Sequence, residues 1–333
     1  MVKKILWILF VIFVFLFFSL VFYKNIWYQV INQDPRSQLT IQGETPVYEF
    51  VAETVKNNLL SFKNPFITSS VLYPFGWQFA MDDVAPINGL YFLILRPFLS
   101  IHQSFMLIVL LSVIISGLTM YYLLVSLKIN KMISLLISLV FCLSPFMSIR
   151  IGAHPTYTAF YLFSIPSIFF IKLVEENKKK IKFTYSVLLA FSISLAFLTN
   201  LYFSIMIIIM IFFLFIFSFL LIKKEMLILL KKNFWYFLIS FFILILILSP
   251  WLKEVNKIIL LSKFDQPKDW NDITAFSADL TNFFLPVHGL FYQPITNYLA
   301  THFLYISRIF ESFTYPGLII IVTIIAYIFI FKK

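Results

Sequence analysis

The chain is 333 residues long, with 61% hydrophobic and 20% aromatic residues and only 12% charged ones. Soluble domains carry roughly twice that charge, about 25%, so this chain cannot cover a folded surface with polar groups and reads as an integral membrane protein. The formal charge of +11 raises nucleic acid as a partner, but the lysines cluster in loops between apolar runs and no basic stripe interleaves with aromatics, so no nucleic acid is expected.

A spanning helix needs roughly 17–25 apolar residues, at about 1.5 Å of rise each across a core of about 30 Å. The N-terminal "MVKKILWILFVIFVFLFFSLVFY" supplies the first, over 5–23. Its apolar run is longer than the roughly 7–15 residues of a signal peptide and lacks a small-residue cleavage site, so it reads as a retained span. A long loop, 24–103, follows, with Asp34 in "QDPRSQL" shortly after the span. Within it "PVYEFVAETVKNNLLSF" (46–62) puts Val47, Phe50, Val51, Val55, Leu59 and Phe62 at helical spacing, which predicts an amphipathic helix with Pro46 in its first turn. The turn-rich "SSVLYPFGWQFAMDDVAPINGL" (69–90) then holds two adjacent carboxylates, Asp82 and Asp83. The segment 86–100, "PINGLYFLILRPFLS", is short, nearly bounded by prolines and carries Arg96. Further spans are read at 104–127, 132–148, 157–173, 183–199, 201–222, 234–250 and 314–331, with a second long loop at 251–313.

Lysine placement decides the topology, because cytoplasmic loops collect Lys and Arg. With 86–100 lying in the interface rather than spanning, 15 of the 26 basic residues and only three of the 15 acids fall on the inner side. These basic residues sit at both termini, in "KINK" (128–131), around "EENKKKIK" (175–182) and between 222 and 233. The expected fold class is therefore all-α: a polytopic transmembrane helix bundle in a single domain, 1–333, with about eight spans and two interfacial helices in the first outer loop. Both termini are expected in the cytoplasm, which leaves Asp34, Asp82, Asp83, "RIGAHPTY" (150–157), Arg308 and Glu311 outside. Cys142, the only cysteine, sits in an apolar run and is assigned to packing. The four histidines lack metal-ligand spacing, and no Walker, GxGxxG or GxSxG motif is present.

An ordered set of segments then becomes informative: "QDPRSQL", "NPFITSSVLYPFG" (64–76), "PINGLYFLILRPF", "LSPFMSIRIGAHPTY" (143–157), "ADLTNFFLP" (278–286) and "ESFTYPGLIII" (311–321). Together they resemble a bacterial family of multispanning GT-C-type glycosyltransferases. The family's Gly-Asp-Pro is Gln33-Asp34-Pro35 here, its Gly-His is Gly152-Ala153-His154, and its Tyr-x-Gly is Tyr315-Pro316-Gly317. The resembled chains often continue through more spans, so a shortened member or a fragment is the expectation. The resemblance implies a GT-C-like fold in the bacterial cytoplasmic membrane. It also implies transfer of a sugar from a polyprenyl-phosphate carrier to a glycan, lipid or protein acceptor on the extracytoplasmic face, with membrane lipids around it and no cofactor required.

That chemistry needs a carboxylate base for the acceptor hydroxyl and donors for the leaving phosphate. Asp34 is the first candidate base, at the position where the resembled superfamily keeps its catalytic aspartate; a plain Asp-Pro turn is the structural alternative. Asp82 and Asp83 come second, as a shared base or as ligands of a divalent cation such as Mg²⁺ or Mn²⁺, against a simple helix-capping role. Arg96, Arg150 and Arg308 suit phosphate, with interfacial snorkelling as the plain alternative. His154 is a candidate for holding sugar or phosphate groups, and Glu311 for a second carboxylate. Two other classes stay open: a non-catalytic membrane scaffold or degenerate relative, and a lipid or sugar transporter. The transporter is disfavoured because spans 201–222 and 234–250 lack charged residues near their centres.

Overall fold

The computed structural model describes residues 2–261 except 33–43, 73–75, 81, 83, 145–146, 148–149, 152–153 and 222. Those residues fall within one packed unit, Met1–Leu261. The expected span 314–331 and most of the expected loop 251–313 lie outside the described residues.

The first span forms helix α1 (Val2–Phe22), apolar around its whole circumference as a lipid-facing helix must be. It is pinned by polar contacts: the Trp7 indole donates to the Tyr121 hydroxyl at 2.6 Å, and the Tyr23 hydroxyl donates to the Cys142 carbonyl at 2.7 Å. Gly117 lets α1 come close, since a Cβ there would lie 2.4 Å from the Phe15 ring. The chain then turns into a short helix that the composition did not reveal, α2 (Lys24–Asn32), which buries Ile26 and Gln29.

Helix α3 (Thr45–Leu60) is the expected amphipathic helix, with proline in its first turn. Its buried stripe is Thr45, Tyr48, Val51, Ala52 and Val55. Of the six apolar positions expected on that face, Val51 and Val55 are buried, Phe50 and Leu59 half-buried, and Val47 and Phe62 exposed. A two-stranded antiparallel ribbon follows, β1 (Ile67–Thr68) against β2 (Trp77–Gln78). Gly76 enters β2 at φ +73° with its backbone against the Thr68 carbonyl, a place no side chain fits. The ambiguous segment 86–100 contains helix α4 (Asn88–Leu95), which at eight residues is far too short to span. Gly89 seats α4 on α3: a Cβ there would lie 2.3 Å from Val55 Cγ1.

Helix α5 (Ile101–Ser126) begins at a reciprocal capping box between Ser100 and Gln103. The Gln103 amide also donates to the Val30 carbonyl of α2 at 2.7 Å. Asn130 caps α6 (Lys131–Cys142). At 12 residues α6 is shorter than the expected span 132–148; it stops ahead of Pro145, whose ring disfavours helical backbone before it. A 3₁₀ turn, Pro155–Thr158, leads into α7 (Tyr161–Glu175). The turn is tied to α5 by Ser116, whose hydroxyl donates to the Thr158 carbonyl (3.0 Å) and accepts from the Tyr161 N–H (2.9 Å). Helices α8 (Lys179–Thr199) and α9 (Leu201–Leu221) match the expected spans at 183–199 and 201–222 closely.

Helix α10 (Lys223–Leu261) corrects the expectation most. The span 234–250 is embedded in a 39-residue helix, roughly 58 Å long at the usual rise. Pro250 does not end it, because Trp251, Val255 and Ile258 continue the helical stripe and pack on Phe66 and Ala80 of the first loop. Among the described residues, five helical segments are long and apolar enough to cross a membrane: Ile5–Phe22, Ile101–Ser126, Pro155–Glu175, Lys179–Thr199 and Leu227–Ile258. The shorter apolar stretches Lys131–Cys142 and Leu201–Phe213 accompany them.

Candidate functional site

The candidate residues fall into two groups. Asp34, Asp83, Arg308 and Glu311 lie outside the described residues. Asp82, Arg96, Arg150 and His154 are described, at the end of the bundle where α3, α4 and the 3₁₀ turn meet. Asp82 sits just past β2 and its Oδ2 accepts the Trp77 indole N–H at 2.7 Å. Arg96 caps the C-terminus of α4; its Nε donates to Glu53 Oε2 at 3.0 Å and a terminal nitrogen to the Leu99 carbonyl. Glu53 also takes Lys56, one turn along α3. Burial pushes the Glu53 carboxyl up, but the bonds from Lys56 and Arg96 outweigh it and hold the group below its ordinary range. Arg96 thus clamps α4 to α3. His102 makes a parallel tie, with Nδ1 2.7 Å from Glu49 Oε1.

His154 and Arg150 are arranged differently. His154 immediately precedes the 3₁₀ turn, and its Nδ1 lies 2.8 Å from Glu44 Oε2 across 110 residues of sequence. Glu44 is the residue before α3, so Tyr48 one helical turn on lies over it, and the Tyr48 hydroxyl donates to the same oxygen at 2.7 Å. Tyr48 is itself buried, stacked on Phe105 of α5 with ring planes 7° apart. Thr156 reaches the Tyr48 hydroxyl at 3.5 Å. The result is a continuous polar chain, His154–Glu44–Tyr48–Thr156. Thr156 also lines a small recess, with room for about one water, together with Asn88, Phe105, Ser112, Tyr161 and Thr199. Tyr157, beside His154, carries the Arg150 guanidinium 5.1 Å from its ring centroid and stacks on Tyr202 of α9.

With Glu44 ionised, Nδ1 of His154 carries the hydrogen and Nε2 is the nitrogen left for a ligand. A half-exposed carboxylate, an oriented imidazole and two hydroxyls can accept, donate and relay protons along this chain. Among the described residues no three His, Cys, Asp or Glu side chains gather as a metal-binding group.

Sequence reading passed over three of these residues. Glu44 and Tyr48 carry a faint signal, an i, i+4 pair across the Pro46 helix start. Glu254 carries a clearer one, on the face of α10 that also holds Trp251. It is 5% exposed, its Oε1 pairs with Lys257 at 2.8 Å, and Oε2 has no hydrogen-bond partner among the described residues. One turn earlier the Trp251 indole donates to the Ala80 carbonyl at 2.6 Å, so this part of α10 meets the loop that bears Asp82.

Helices of spanning length and apolarity, with their polar groups gathered at the helix ends and in the first loop, define an all-α membrane protein. Residues 57–333 match the family described as Domain of unknown function (DUF6311), and the chain belongs to that family. The match takes in Asp82, Arg96, Arg150, His154 and Glu254. No curated protein and no solved structure matches the chain.

Proposed function

We propose that this chain is a membrane glycosyltransferase that moves a sugar from a polyprenyl-phosphate carrier to an acceptor on the extracytoplasmic face. The observation that carries the proposal is the His154–Glu44–Tyr48–Thr156 chain, which ends at the small recess that Thr156 lines. It supplies proton-handling groups beside apolar helix surfaces, the combination that a lipid-bound phosphosugar requires. The order of elements supports it as well: a first span, then α2, then α3 and α4 docked on each other, then further spans, which has one short helix more than the two juxtamembrane helices the GT-C resemblance implies. The lysine distribution supports an outer position for this end of the bundle.

In this scheme Asp34 removes the acceptor proton, as the resemblance implies, and the acceptor oxygen displaces the carrier phosphate at the anomeric carbon. Arg150 supplies charge beside the departing phosphate, and His154, held in orientation by Glu44, presents Nε2 as an acceptor for a hydroxyl of the bound sugar. No cofactor is needed, because phosphate departure drives the step. A divalent cation at Asp82 and Asp83 is an optional addition, tested by chelation.

The test is a transfer assay in proteoliposomes with a panel of polyprenyl-phosphate sugars. Asp34→Asn is expected to abolish transfer and His154→Ala to lower it by about 10²-fold or more, with both variants inserted and folded. Wild-type protein inactive with every donor would overturn the proposal. One observation favours a second reading, a non-catalytic scaffold: Asp82 and Arg96 serve the loop's own structure through Trp77 and Glu53. Full cellular function after joint replacement of Asp34, Asp82, Asp83 and Glu311 would select the scaffold.

A further inference from the structure

The opposite end of the bundle holds an arrangement that the transferase proposal does not use. Lys182, in the first turn of α8, is 3% exposed. Its ammonium donates to Asn233 Oδ1 of α10 and stands 5.5 Å from the Tyr236 ring centroid. Asn233 is fully buried, and its amide nitrogen is committed to the Leu229 carbonyl at 2.9 Å, which turns the oxygen toward the lysine. Next to Asn233 in sequence, Lys232 donates to Asn177 Oδ1 in the α7–α8 connection at 2.9 Å.

Two ammonium groups are thus drawn together by two neutral amides. Among the described residues neither has a carboxylate within ion-pair distance, and Lys232 repels Lys182. Glu176 acts on Lys182 only at range: its Oε1 accepts the backbone N–H groups of Asn177 and Lys178 at 2.8 and 2.9 Å. A lysine at a membrane boundary ordinarily snorkels, keeping its head in water. Lys182 instead buries its head between helices, and a buried ammonium calls for a counter-charge. The surrounding sequence adds more cations, Lys178, Lys179 and Lys180 on one side and Lys231 on the other. Basic pockets between membrane helices on the cytoplasmic side recognise anionic head groups.

We propose that the junction of the α7–α8 connection with α10, built on Lys182, Lys232, Asn177 and Asn233, is a binding site for a phosphate group. The phosphate comes from an anionic phospholipid or from a soluble phosphate ester; both offer the anionic oxygens that the two ammoniums lack.

Native mass spectrometry after partial delipidation tests it, on full-length protein from nanodiscs of equal phosphatidylcholine and phosphatidylglycerol. A parallel thermal-melt titration uses inorganic phosphate. The variants are Lys232→Gln, Lys182→Met and, as a control, Lys231→Gln, which makes the same charge change on a neighbouring exposed lysine. Wild-type protein is expected to retain phosphatidylglycerol several-fold over phosphatidylcholine. Lys232→Gln should reduce that preference several-fold and Lys231→Gln should leave it unchanged. Lys232 is exposed, so its variant reports even where Lys182→Met disturbs folding. Indifference to phosphatidylglycerol with a Lys232-dependent upward melting shift in phosphate would assign the soluble source. Equal lipid retention in wild type and Lys232→Gln, with no phosphate shift, would overturn the site; an equal loss in Lys231→Gln would reduce it to general surface charge.

Discussion

The two ends of the bundle solve the same electrostatic problem in opposite ways. At the α3–α4 end basic side chains meet carboxylates: Arg96 and Lys56 on Glu53 and Lys257 on Glu254, with the imidazoles of His102 and His154 on Glu49 and Glu44. At the Lys182 end the ammoniums rest on asparagine oxygens, and Glu176 is occupied by backbone N–H groups. The first end is neutralised from within and can devote a surplus carboxylate–histidine pair to chemistry. The second depends on charge brought from outside. A salt or lipid change should therefore act on the second end and leave the first largely unmoved.

The sharpest way to break this contrast is at His154. Glu44→Gln removes the carboxylate but keeps the shape, and transfer activity in proteoliposomes should fall by about 10²-fold or more, as expected for loss of an oriented acid–base group. Unchanged turnover would make the pair one more structural tie like Glu49–His102. Next in size is Trp251→Ala, which removes both buried ring area and the bond to Ala80; a loss of about 3–5 kcal/mol is expected in denaturant unfolding in detergent. Gly89→Ala pushes a methyl into Val55 and should cost about 1–3 kcal/mol by the same measurement, loosening α4 and with it the Arg96–Glu53 clamp.

The smallest effect is a pH limb from Glu53. Its folded pKa is depressed, so its contribution to stability is complete at neutral pH, above the ordinary carboxylate range, and is lost as pH falls through the lowered folded value. Melting curves taken from pH 7 downwards should show this acid limb in wild type and a reduced one in Glu53→Gln.

Much of the fold was legible because lipid imposes a simple rule, long apolar runs, and α1, α5, α7, α8 and α9 obey it. Helix α3 was legible from its spacing, but its exact stripe was not: Tyr48 buries its ring while sending its hydroxyl to Glu44, and hydrophobicity alone ranks Val47 and Phe62 above it. Helix α10 was misjudged in length because Pro250 reads as a stop, whereas burial of Trp251, Val255 and Ile258 carries the helix through. In the candidate site, Asp82, Arg96, Arg150 and His154 were singled out by residue type and position, but their partners were not. Glu44 and His154 stand 110 residues apart, and Asn233 looks like any polar residue at a helix end until the fold sets it under Lys182. Local pattern carries no record of such pairings.

The Trp251–Ala80 bond also has a bearing on the order in which the protein is made. Its partners are 171 residues apart, and a ribbon with two residues per strand has no independent stability. Translation at roughly 5–20 residues per second delivers Trp251 some ten to thirty seconds after Ala80, with α5 through α9 emerging in between. The partners of the Arg96–Glu53 clamp are on hand long before that, whereas the turn bearing Asp82 can gain its tie to α10 only when the end of that helix arrives.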